Sequence, residues 1–159
     1  MEFDPTRHPI VIRQGSPGGA PLGTSGRGRL KILNQPGHDA GYALLEGRHP
    51  AGEPRIRDHV HGRHEETFVV LEGQYEVRLG EQVVQVMAGD YVFVPRGTSH
   101  TYRNVGPAPA RVLNIISPPD GVQLLAELGA LFGTTVDETL LAEIHARHAT
   151  DLVPPLAGW

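Results

Sequence analysis

The chain has 159 residues, 39% hydrophobic and 20% charged, with a formal net charge of −4. That length suits one domain with a real core. The absence of cysteine excludes a disulfide framework, a thiolate metal site, an iron–sulfur cluster and a cysteine nucleophile.

The acidic balance, without a basic patch for phosphate contacts, argues against nucleic acid as a partner. Nine histidines remain, so any metal or acid–base site must be built from imidazole and carboxylate. The 20 glycines and 14 prolines favour tight turns and many short strands over long helices.

Residues 1–28 read as a flexible, extended Gly/Pro-rich arm, crowded with Gly, Pro and Ser from Gln14 onward. The cluster Arg27, Arg29 and Lys31 reads as solvated surface. No run of about 18 apolar residues could span a membrane. Ile10-Val11-Ile12 is too short for a signal segment, so the expectation is a soluble cytoplasmic protein.

Residues 29–117 alternate strand and turn. Apolar runs at 30–33 and 42–45 flank Pro36-Gly37, and 67–71 is rich in Val and Phe. Glu72-Gly73 turns this run into 74–79, where Tyr75, Val77 and Leu79 alternate with polar residues as in a half-buried strand. Further runs follow at 83–87, 91–94 and 111–116, and 105–109 reads as a loop. Such spacing predicts an all-β sandwich or barrel.

Residues 118–159 change character. Val122, Leu125, Leu128 and Leu131 have helical spacing. Thr135 and Glu138 form a capping box for a second helix that runs to about Arg147. This tail carries six acids and one arginine, and reads as a helical extension packed on the barrel.

One segment reads His59-Val60-His61-Gly62-Arg63-His64-Glu65-Glu66. Residues two apart in a strand share a face, so His59 and His61 aim at one point. From Glu66 the same parity continues through Phe68 and Val70. A second segment, from Gly89 to Asn104, contains His100. Three imidazoles and one carboxylate around a strand-built pocket suit a divalent transition metal.

The segment His59-x-His61-x4-Glu66-x6-Gly73 resembles the first motif of the cupin family, and Gly89-x5-Pro95-x-Gly97-x2-His100-x3-Asn104 resembles the second. The one departure is Gly52, seven positions before His59 where the family usually has six. The resemblance implies a double-stranded β-helix (jelly-roll) barrel of the small quercetin dioxygenase-like type. It also implies one divalent metal (Fe, Mn, Ni, Cu, Co or Zn) held by His59, His61, Glu66 and His100. It further implies a homodimer, with N-terminal strands exchanged between copies.

Local competitors remain. His64, three residues from His61, faces solvent in a regular strand, or else stands next to the ligands as a supporting group behind them. Glu65 could replace Glu66 if a bulge shifts the register. Asn104 reads as a brace for a turn. His8, His38, His49, His145 and His148 fall outside the pattern and read as solvated.

The expected activity is a dioxygenase-type reaction on a phenolic, enolate or polyketide-like small molecule. The alternatives are a redox-neutral cyclase or isomerase, and a binding protein without turnover. Glu66 could serve as a general base as well as a ligand. Tyr102, on the His100 face, is a candidate hydrogen-bond donor or acid; otherwise it is a core aromatic with its hydroxyl at the rim. Phe68 and Tyr75 are candidates for the substrate wall. Arg55 and Arg57 share the parity of His59, and Arg57 could meet an anionic substrate or simply be a solvated rim residue.

Overall fold

A computed structural model describes residues 12–13, 19–22, 26–37, 40–53, 56–131 and 137–156. The sequence expectations at His8, His38, Arg55 and Thr135 lie outside these residues. In chain order the strands are β1 (Ala20–Leu22), β2 (Gly28–Gly37), β3 (Ala40–His49), β4 (His59–His61), β5 (Glu65–Glu72), β6 (Gln74–Leu79), β7 (Gln82–Met87), β8 (Tyr91–Val94), β9 (His100–Asn104) and β10 (Ala110–Ser117). A 3-10 turn at Pro119–Gly121 leads into α1 (Val122–Leu131), followed by α2 (Glu138–Arg147) and a last strand, β11 (Thr150–Leu152).

The strands form two antiparallel sheets, ordered β1-β2-β3-β10-β5-β8 and β11-β4-β9-β6-β7. Every pairing is antiparallel, and neighbours in space are mostly distant in sequence. This is the expected double-stranded β-helix. Inward residues of both sheets pack face to face: Phe68, Val70, Tyr75, Val77, Val86, Val92, Val94, Ala110 and Val112 make one core. The parity read from the sequence holds in β5, where burial alternates and Glu66, Phe68 and Val70 point inward.

A second apolar cluster joins Ala43, Leu45 and Ile116 to Val122. Leu125 packs against it. The helical spacing of Val122 and Leu125 is thus what fastens the C-terminal extension to the barrel. The α2 helix starts two residues later than a cap at Thr135 implies. Its N-cap is Asp137, whose carboxylate accepts from the backbone amides of Thr139 at 2.8 Å and Leu140 at 3.3 Å. Asp is as good an N-cap as Thr.

The expected flexible arm contains a paired strand, with Ala20 opposite Leu30 and Leu22 opposite Gly28. Here glycine marks a close approach and not flexibility. Gly19 has φ +92°, and a Cβ there would lie 2.2 Å from the Leu30 carbonyl oxygen.

Candidate metal centre

Strand β4 carries His59 and His61 on its inner face, and the β4–β9 pairing sets His59 directly opposite His100. Glu66 arrives from the facing sheet, near the start of β5. All four are buried, His100 completely. The imidazole centroids lie 4.3 Å (His59–His100), 4.7 Å (His59–His61) and 5.0 Å (His61–His100) apart. The Glu66 oxygens divide between neighbours. Oε1 is 3.5 Å from His61 Nε2, and Oε2 is 3.4 Å from His100 Nε2. Glu65, the competing carboxylate, pairs with Ser117 on β10 and is not brought to the cluster.

Hydrogen bonds behind the rings decide which nitrogen faces inward. His59 Nδ1 donates to the Arg57 carbonyl at 2.7 Å, and His100 Nδ1 donates to the Thr98 carbonyl at 3.1 Å. His61 Nδ1 is 2.9 Å from Thr150 Oγ1, whose hydroxyl donates onward to the His148 carbonyl at 3.4 Å. With the Thr150 proton so used, His61 Nδ1 is the donor. Each neutral ring therefore turns a bare Nε2 lone pair toward the centre, the tautomer that metal-binding histidines need.

The charge state agrees. Burial, then the charge of His100, pushes His59 down to about 3. Burial pushes His61 down to about 2. Burial alone would raise the Glu66 carboxyl, but its neighbours His100, His64 and His61 outweigh that and hold it well below its usual range. At neutral pH this leaves imidazole lone pairs against a carboxylate. His61 Nε2 and His100 Nε2 are buried with no hydrogen-bond partner. Such a set is mutually repulsive alone and becomes attractive around a divalent cation. The donor set fits a metal.

Phe68 and Tyr102 lie beside the cluster. The Phe68 ring is 6.3 Å from His100 and 5.1 Å from Tyr102. Tyr75 sits one layer further, 5.8 Å from Tyr102, and its buried hydroxyl has no hydrogen-bond partner. Burial raises both phenols, with the Glu66 charge adding to the shift at Tyr102, so both stay protonated and can donate. The Arg57 guanidinium is not brought to the cluster; it pairs with Glu138 at the start of α2, on the surface. Asn104 braces a turn, as expected. Its amide nitrogen donates to the carbonyls of His49 (3.0 Å) and Ala108 (2.8 Å), and its oxygen accepts from the Gly106 amide.

Five residues differ from their sequence reading or escaped it; one is His148, read as solvated, whose largely buried ring sets Nε2 2.8 Å from Glu127 Oε1. His64 is buried, its ring stacked 3.9 Å from that of His61 and its Nε2 3.8 Å from Glu66 Oε1. Parity counted forward from His61 turned it outward, but the bend at Gly62-Arg63 breaks that count. Counted back from Glu66, it faces inward. His145 is also buried, 6.4 Å from His59, with Nδ1 donating to the Leu141 carbonyl at 2.8 Å. His49 packs edge-on against Tyr75 and Tyr102 at 5.6 and 5.3 Å. Thr150 stands behind His61 because β11 pairs with β4, opposite His61 itself. The only local signal for β11 is a short β-prone run before Pro154.

The Thr150 brace yields an expected result. Thr150→Val should keep the fold and weaken metal binding about 10- to 100-fold, as loss of an outer-shell partner does. Thr150→Ser should restore it. A chelator-competition titration of the three proteins checks this; equal affinities would dismiss the brace.

The buried imidazoles also make stability depend on pH. Burial, then the charge of Arg27, lowers His49 to about 4, and burial lowers His145. The unfolded chain, with histidine near 6.5, binds these protons first. Unfolding is therefore favoured as pH falls below about 6.5, by up to about 1.4 kcal/mol per pH unit for each imidazole. Urea midpoints of metal-free protein should drop from pH 7.5 to 5, less so in His49→Gln. A midpoint independent of pH would contradict the burial of these groups.

Residues 46–116 match the cupin domain family. Over 95 residues, 60% of this chain, the sequence is 35% identical to quercetin 2,3-dioxygenase of Bacillus subtilis, of which the match covers 27%. Over 94 residues, 57% of this chain, it is 35% identical to the polyketide synthase CurC of Streptomyces cyaneus, covering 60% of that protein. The chain thus spans less than two thirds of either relative. In fold it is similar to an uncharacterised protein with a double-stranded β-helix domain from Klebsiella pneumoniae, with TM-score 0.50 and 22% identity over 64% of this chain and 84% of that one. Among the described residues no helix is long and apolar enough to cross a membrane. The family match over residues 46–116, together with the two motif segments and the paired sheets, supports a cupin domain in that part of the chain.

Proposed function

We propose that the chain is a metal-dependent cupin enzyme, acting by dioxygenase-type chemistry on a phenolic, enolate or polyketide-like small molecule. The observation that carries this reading is the buried convergence of His59, His61 and His100 with Glu66, beside Phe68 and Tyr102. A bound divalent ion supplies a Lewis acid that polarises a substrate oxygen.

The remaining roles belong to the chain. Three neutral imidazoles and one carboxylate would leave a divalent ion with a net charge of +1, which suits an anionic enolate or phenolate substrate. Glu66 holds the ion and can take the proton of an incoming hydroxyl. Tyr102, protonated, donates a hydrogen bond to bound substrate. Phe68 supplies an apolar wall that keeps water from the reacting atoms. The likeness to a quercetin dioxygenase supports an oxygen-using reaction. The likeness to a polyketide synthase component supports the second reading, a redox-neutral cyclase or isomerase.

Oxygen uptake decides between them. Tag-free protein loaded separately with Fe, Mn, Ni, Cu, Co or Zn is assayed with quercetin and with aromatic polyketide mimics, in air and without it. The dioxygenase reading expects O2 consumption with a redox-capable metal, lost in His59→Ala. Equal turnover without oxygen, supported by zinc, would refute it in favour of the cyclase. Stoichiometric binding of these compounds without turnover would leave a binding protein.

A further inference from the structure

The family motif uses two histidines and one glutamate from the first segment, but this chain brings a further imidazole to the same place. Resting on the metal-binding reading above, we propose that His64 is itself a metal ligand, so that four imidazoles and one carboxylate surround a single ion.

The ligand atoms fall into two overlapping sets. His59, His61 and His100 form one, and His61, His64 and Glu66 the other; within each set all atoms lie within 4.8 Å of one another. His61 is common to both. Glu66 spans them, with Oε2 turned to His100 and Oε1 to His61 and His64. The 3.8 Å between His64 Nε2 and Glu66 Oε1 is long for a hydrogen bond. It suits two donors on one ion, since ligands each about 2.0–2.1 Å from a metal lie roughly 3–4 Å apart.

The fold also holds the His64 ring in this pose. A Cβ on Gly121 would meet His64 Cγ and Nδ1 at 2.8 Å, so the turn before α1 passes close beside the ring and has no room for a side chain there, while Nε2 lies 3.8 Å from Glu66 Oε1. His64 also lines a cavity of about 260 Å³ with Arg63, Asp120, Gln123 and Arg147. His64 thus stands between the buried cluster and a polar cavity, its inner nitrogen among the metal donors. His145 is the contrasting case. It too is a buried imidazole near His59, but it belongs to neither ligand set and its Nδ1 is held by its own helix.

The test measures metal, not turnover. Wild type, His64→Gln, His64→Ala and His145→Gln are titrated with Zn2+ against a chelator, and their Co2+ forms are compared by visible absorption. Far-UV circular dichroism confirms the fold, and the two His64 variants guard against a single misfolded one. The expected result is one ion per chain in wild type. Both His64 variants should lose at least the tenfold to hundredfold that an outer-shell loss costs, and the Co2+ bands should shift. His145→Gln should match wild type.

Affinity and spectrum unchanged in folded His64 variants would overturn the assignment of His64 and leave the metal site standing. Two ions in wild type, with one lost in the variants, would overturn the single shared centre. No ion bound by wild type would overturn the metal reading and this assignment together.

Discussion

Replacing His59, His61 and His100 together by Ala is expected to abolish stoichiometric binding of divalent metal, against one ion per chain in the parent. These rings supply three of the inward-facing donors, each preset by a hydrogen bond from Nδ1. If each loss costs no less than an outer-shell partner does, the three compound to at least about a thousandfold. What remains is Glu66 with His64, too few donors to hold an ion against water.

The fold should survive, because the core of Phe68, Val70, Tyr75 and Val77 lies beyond these side chains. Elemental analysis of gel-filtered, tag-free protein checks the result, with circular dichroism as the control for folding. An ion retained at one per chain would show that the metal sits elsewhere.

The second large effect is on stability. Asp58, immediately before β4, forms a buried ion pair with Arg78 on β6, and Arg78 Nε donates to the Gly80 carbonyl at 2.7 Å. Thr101 Oγ1 donates to the Ile56 carbonyl in the same region. These contacts fasten the segment that leads into β4 onto the outer face of its sheet. Asp58→Ala leaves a buried guanidinium without its carboxylate, which costs about 3–5 kcal/mol. Adding Arg78→Leu should recover much of that, because the uncompensated charge is then gone. Urea unfolding of the two variants beside wild type checks both parts. A single variant within about 0.5 kcal/mol of wild type, the range of an ordinary surface substitution, would mean that the pair does not anchor β4.

Much of this architecture is legible locally. The β5 and β6 strands follow from period-two alternation, and their inward faces from the parity of Glu66, Phe68 and Val70, and of Tyr75 and Val77. Turn glycines separate them; Gly73 has φ +84°, with Ala110 against the space its side chain would need. Parity fails where a bend resets it, which is why His64 reads outward when counted from His61. Composition also gives no sign of β1, a three-residue strand that pairs with β2 from within a Gly- and Pro-rich stretch.

By itself the sequence determined the materials of the site, imidazole and carboxylate with no thiolate, and a strand periodicity that implies a barrel. With the family resemblance it also pointed to His59, His61, Glu66 and His100 as one ligand set. Each of these is a matter of residue type and local spacing. Only the tertiary structure decided what stands behind and beside that set. Thr150 reaches His61 because β11 pairs with β4 across 89 residues of chain. His145 reaches His59 because α2 lies against the barrel, and Gly121 comes close to His64 because the turn before α1 passes beside that ring. Such contacts join distant segments through packing, and no periodicity within a single segment encodes them.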